Sequence, residues 1–196
     1  SFDKTTAQIN SHPFTIEGAF YLKDSSHFLL NVSSDNLTFE NATQLVPHNI
    51  QRILHNFKIS NPLDVLATIQ GPMAAGTTPL VNVIWKIKNS SFSTTAIAFT
   101  NCSFSGLFTN RVDKNLPLTD ENSEVLVSNF SGYIGAIKLV SKNIIVSNLI
   151  TPVIAFGMQS ACNFAQLDTT LSLSSIRFVS GNAALNILYN GPLIND

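Results

Sequence analysis

From Phe14 to Leu22 the chain reads Phe-Thr-Ile-Glu-Gly-Ala-Phe-Tyr-Leu, with apolar side chains on nearly every even position. The same period of two returns at Phe28/Leu30/Val32, at Leu63/Val65/Ala67/Ile69 and at Val81/Val83/Trp85/Ile87, and more loosely at Leu185/Ile187/Tyr189. Successive strand residues point to opposite faces, so each stretch is a ribbon with one oily and one wetter side. Turn-forming clusters divide the ribbons: Lys23 to His27, Gly71 to Pro79, Lys88 to Ser91, Arg111 to Ser123, Gly181-Asn182 and Asn190-Gly191-Pro192. Such spacing leaves no room for crossover helices and favours antiparallel hairpins. One helix is expected near residues 47–57, where Ile50, Ile53, Leu54 and Phe57 fall on one helical face and Pro47 suits a first turn. The pattern predicts an all-β chain, a curved and mostly antiparallel sheet that forms an elongated apolar groove. It is read as a single region over 1–196, braced by that short helix.

Composition sharpens the expectation. The chain is 44% hydrophobic and 12% charged, with a mean hydropathy of +0.21, whereas a soluble domain carries roughly 25% charged residues. There is more greasy strand surface than this charge supply normally accompanies, which points to a binding or conduit surface rather than a catalytic centre. The formal net charge is -1 and no Lys/Arg block occurs, so the dense phosphate neutralisation of nucleic-acid binding has little to draw on. No run of about twenty apolar residues would span a bilayer as a helix; the window Ile144 to Phe156 is broken by Ser147, Asn148, Thr151 and Pro152. No basic and then apolar leader opens the chain and its first residue is not Met, which reads as a piece of something longer.

Residues with chemical potential are scattered. Cys102 and Cys162 admit two readings, a pair of buried small apolar residues or one disulfide in an oxidising compartment; neither belongs to a CxxC pair, so zinc is not expected. Asn31, Asn36, Asn41, Asn89, Asn101 and Asn129 each begin an Asn-x-Ser/Thr triplet. Glycan attachment is the sharp reading, and chance in an Asn/Ser/Thr-rich chain is the preferred one, because the triplets fall inside apparent strands as often as in loops. His12, His27, His48 and His55 lie in the first third; His48 and His55 are two helical turns apart, but no third ligand accompanies them. Asp113, Asp120, Glu121 and Glu124 lack the turn glycine of a calcium loop and read as a solvated segment. No GxSxG elbow, GxGxxG or P-loop is present, so neither an enzyme nor a cofactor is expected. Trp85 is either a core aromatic or a groove-lining ring. The 14 Phe against 3 Tyr suit a dry interior and an acyl-chain surface equally.

A weak internal echo joins Phe104-Ser105-Gly106-Leu107-Phe108 to Phe130-Ser131-Gly132-Tyr133-Ile134, with looser copies at Gly18, Gly71 and Gly181. Glycines inside strands mark bulges or bends, so these are expected to curve the sheet into a trough. The order of several segments then resembles the AsmA-like periplasmic proteins. A strand runs from Asn61-Pro62-Leu63 to Gly71-Pro72, followed by Thr78-Pro79-Leu80-Val81-Asn82-Val83, then Asn89-Ser90-Ser91-Phe92 and the Asn101 to Asn110 stretch. Downstream, Asp120 to Ser123, Asn148 to Pro152 and the closing Tyr189-Asn190-Gly191-Pro192-Leu193 fit the same order.

The resemblance implies a long curved β-sheet forming an apolar groove, held at the bacterial inner membrane by an N-terminal helix that this stretch lacks. It implies a periplasmic lipid-binding or lipid-transfer module serving outer-membrane biogenesis, with phospholipid acyl chains as cargo. The family carries no fixed binding residues, so the candidates come from alternation alone: Phe14, Ile16, Phe20, Leu22, Phe28, Leu30, Val81, Val83, Trp85 and Ile87. Such a surface would hold tails through non-directional burial, worth about 0.8 kcal/mol per CH₂. The alternatives are a closed β-sandwich serving as a structural or cell-surface interaction domain and, ranked last, a β-helix-like carbohydrate-active domain, for which one Trp and three Tyr are a poor supply.

Overall fold

The computed structural model describes residues 1–10, 12–22, 26–46, 48–94, 97–172, 175 and 177–193, with backbone alone for 48, 49 and 53. The elements in chain order are β1 (Phe2–Ile9), β2 (His12–Tyr21), β3 (His27–Leu37), α1 (Phe39–Thr43), α2 (His48–Leu54), β4 (Lys58–Ile59), β5 (Leu63–Pro72), β6 (Leu80–Ser93) and β7 (Ala98–Thr109). A 3₁₀ turn (Asp120–Asn122) follows, then β8 (Glu124–Ile134), β9 (Ile137–Ser147), β10 (Val153–Asn163), α3 (Phe164–Leu171) and β11 (Asn182–Pro192). All strands join one antiparallel sheet in the order β1-β2-β3-β5-β6-β7-β8-β9-β10-β11, with β4 paired on β6. The expected all-β, antiparallel architecture with a helix near 47–57 is what the chain forms. It is an open sheet with β1 and β11 as its two ends, not two sheets facing each other as in a sandwich.

What bends the sheet differs from expectation. Asn36, Asn89, Asn101 and Asn129 lie inside strands and have positive φ, between 50° and 58°. The pairing slips beside the first three: between Ser34 and Leu37, between Ile87 and Ser90, and between Thr100 and Ser103. Asparagine is the non-glycine residue that best tolerates this left-handed backbone. Each of the four is exposed, and the residue after it is buried: Leu37, Ser90, Cys102 and Phe130. Two neighbouring residues therefore point outward before the alternation resumes, the signature of a β-bulge, which kinks a strand and tightens its twist. Four of the six Asn-x-Ser/Thr triplets are thus the sequence form of a recurrent bulge. The segment Lys88 to Ser91, expected as a turn, is the bulged middle of β6, and Asn190-Gly191-Pro192 is the end of β11 rather than a turn. The turn over Lys23 to His27 falls partly outside the described residues, as does Pro47.

Two helices were not expected. α1 is capped by Thr38, whose hydroxyl accepts from Asn41 N at 3.2 Å. α3 opens on a reciprocal box in which Asn163 Oδ1 accepts from Gln166 N at 2.8 Å and Gln166 Oε1 accepts from Asn163 N at 2.9 Å. The Asn163-x-x-Gln166 spacing ahead of an apolar turn was the signal available in the sequence. α3 seats Leu167 in the main core with Phe99, Cys102, Phe130, Ile137, Leu139 and Cys162. Both cysteines are free thiols buried in that one cluster, so of the two readings the structure takes the small apolar one.

Candidate binding face

Antiparallel register places directly opposed residues on the same face, so the pairings trace rows across the sheet. One row runs Ile16, Val32, Ala67, Val83, Phe108, Val125, Val146 and Ile154, from β2 to β10 without a break. Seven strand-to-strand steps of about 4.8 Å make it roughly 34 Å long. A parallel row runs Val65, Trp85, Gly106, Val127, Ile144, Phe156 and Tyr189. Leu30, Ile69 and Val81 lie on the same side. No Asp, Glu, Lys or Arg takes a position in these rows. The strand charges Glu17, Asp64, Lys86 and Glu124 fall one residue away and so project from the opposite face.

The ten alternation candidates meet this frame unequally. Ile16, Leu30, Val81, Val83 and Trp85 are half-buried members of the rows, Phe28 pairs with Gly71 at their edge, and Phe14 and Ile87 are buried at 5% and 2% exposure. Phe20 is half exposed and stacks on Phe2 with centroids 5.9 Å apart. Leu22 lies beyond the end of β2, is 74% exposed and belongs to no row. Alternation also missed seven apolar positions of the face: Phe108, Val125, Val127, Ile144, Val146, Ile154 and Phe156 come from strands whose period is shifted by bulges or masked by apolar residues on both sides.

The two faces differ in exposure although both carry apolar residues. Ile84 and Leu66 on the opposite face are 47% and 39% exposed, whereas their neighbours Val83, Trp85 and Val65 are half-buried. Among the described residues all strands belong to one sheet, so no second sheet covers either face. Trp85 is seated by its cross-strand partner. A side chain on Gly106 would place Cβ 2.0 Å from Trp85 Cε2 and 2.2 Å from Cζ2, so the indole lies flat across the glycine. Gly106 was expected to bend the sheet; its role here is to make room for that ring.

One end of the face is closed by aromatic rings. Phe57 stacks on Phe92 at 5.6 Å, Phe99 meets Phe130 edge-on at 5.4 Å, and Phe164 meets Phe178 at 5.5 Å. Burial pushes the Cys102 thiol above its ordinary value, only partly offset by a hydrogen bond with the Phe92 backbone. At the other end the segment after β7 is pinned by Asn122, whose side chain donates to the carbonyls of Asp113 and Pro117 at 2.9 Å each and accepts from Asp113 N at 2.9 Å. The acidic stretch is thereby an ordered, self-bonded loop. Among the described residues no cluster of three metal-capable side chains occurs, and no helix is long and apolar enough to cross a membrane. Whether His48 and His55 share a helical face rests on a side chain outside the described residues. His12 shares a hydrogen bond with Ser34 Oγ at 2.8 Å, and His27 stacks on Tyr21 at 4.4 Å.

What these residues define is an open antiparallel β-trough with one uncharged face. No family model, curated protein or solved structure matches the chain.

Proposed function

We propose that the uncharged face holds lipid acyl chains and that the chain is a lipid-binding or lipid-transfer module. The observation that carries the reading is the unbroken apolar row from Ile16 to Ile154, about 34 Å of strand-crossing surface. A tail laid along it gains about 0.8 kcal/mol for each methylene removed from water, through contacts that are individually weak. A conduit needs that combination, because cargo held by many small contacts can slide without a single large barrier. The order of motifs that resembles AsmA-like proteins extends the proposal to a bacterial periplasmic setting, an inner-membrane anchor outside this stretch and a role in outer-membrane biogenesis.

The test is native mass spectrometry after incubation with phosphatidylethanolamine/phosphatidylglycerol vesicles. The chain is expected to acquire adducts of phospholipid mass that vanish on denaturation. Val83→Asp puts a carboxylate in the middle of the row and is expected to abolish them, while Ile84→Asp on the opposite face leaves them in place. Equal loss in both variants, or no adduct on the unaltered chain, sinks the proposal.

A further inference from the structure

The two ends of the sheet are built differently. β1 carries Asp3 and Lys4 side by side, and its pairing slips between Phe2 and Thr5; charge and a bulge are the usual protections of an edge strand. β11 has neither. It is eleven residues, Asn182–Pro192, without a charged side chain, and its pairing with β10 runs from Asn182 to Pro192 without a slip. Among the described residues no strand pairs with its outer side, which presents a ladder edge of backbone N–H and C=O groups. Ile187, Leu188 and Tyr189 at its centre are 45%, 78% and 40% exposed. An edge of this length and neutrality is a template for another strand.

We propose that the occupant is β11 of a second copy, paired antiparallel about a two-fold axis at Ile187. An antiparallel two-fold pairing sets one residue opposite its own copy, and Ile187 is the middle of the strand, so this register uses its whole length. It places Leu185 opposite Tyr189 and keeps both uncharged faces on the same side, giving one trough continuous across both copies. A slip by one residue in a single strand would turn apolar positions against the wetter face. With no charge on β11, self-pairing meets no like-charge repulsion. Joining β11 to the Asp3/Lys4 edge of another copy would instead generate an open fibre, and β1 is the edge that carries protections against pairing.

The experiment is sedimentation equilibrium on the 196-residue chain and on two variants at the dyad. The unaltered chain is expected at twice its 21.3 kDa mass. Ile187→Lys and Ile187→Glu are each expected to sediment as monomers with the strand circular-dichroism signal intact, since the residue is 45% exposed. Mixed one to one, they are expected to return to the doubled mass as a Lys/Glu heterodimer. A monomeric unaltered chain, dimers that survive either single substitution, or folded variants that fail to re-pair on mixing would overturn the proposal. The outcome does not depend on what the trough holds, because no lipid enters the measurement.

Discussion

Gly106→Ala tests the packing of the candidate face most directly. The added Cβ would lie 2.0 Å from Trp85 Cε2, 2.2 Å from Cζ2 and 2.5 Å from Nε1, against an ordinary contact of 3.4 Å or more. The ring has to retreat by about 1.4 Å from its nearest atom or swing off β7 altogether. A Trp side chain buries up to about 250 Å², and losing some 100 Å² of that at about 25 cal/mol per Å² costs roughly 2.5 kcal/mol. The assay is convenient because Trp85 is the only tryptophan. Urea unfolding followed by its emission should show a loss of about 2–3 kcal/mol, and the native state should emit further to the red with faster acrylamide quenching. In a Trp85→Leu background, followed by circular dichroism, the same Gly106→Ala change should cost less by about 1 kcal/mol or more, since the clash partner is gone. If Gly106→Ala leaves both emission and stability within about 0.5 kcal/mol of the parent, the ring does not lie across the glycine and the account of this face fails.

Two further expectations concern the bulges and the core. Asn101→Ala should destabilise by about 1–2 kcal/mol because alanine resists the positive φ there, whereas Asn101→Gly should stay within a few tenths; equal losses in urea melts would show that the asparagine side chain, not the backbone, matters. The buried Cys102 thiol titrates above its ordinary value. Folded protein therefore keeps a proton that the unfolded chain starts to release near about pH 8.5. The stability this contributes is intact below that pH and falls as pH rises toward the folded value. Comparing urea midpoints at pH 8 and pH 10 should show a steeper fall in the parent than in Cys102→Ala, and parallel slopes would refute it.

The legible part of this protein was the part in which one face is oily and the other is not. Strands β2, β5 and β6 announced themselves through Phe14/Ile16, Leu63 to Ile69 and Val81 to Ile87, because each buries one side only. Strands β8 to β10 did not. Segments such as Val125-Leu126-Val127 and Ile144-Ile145-Val146 are apolar on both sides, so period alone assigns them to neither face. One asparagine misled in a specific way: the Asn89-Ser90-Ser91 step has the composition of a turn, yet a left-handed residue inside a ladder needs the same chemistry as one in a loop. The helix α3 was missed although its capping box was written out, because no apolar period follows it for more than two turns.

The sequence by itself determined that the chain is a run of antiparallel ribbons short of charge, since alternation and spacing are local properties that each segment carries alone. Which residues share a face was decided only in three dimensions. Val83 meets Phe108 and Ala67 through pairings set by turns and bulges far from it in the chain, and each bulge shifts the parity of everything beyond it. The same long-range pairing left charge off the uncharged rows, laid Trp85 over Gly106 and gathered Cys102 and Cys162 into one core as thiols. Register is a collective property of neighbouring strands, and no single strand encodes it.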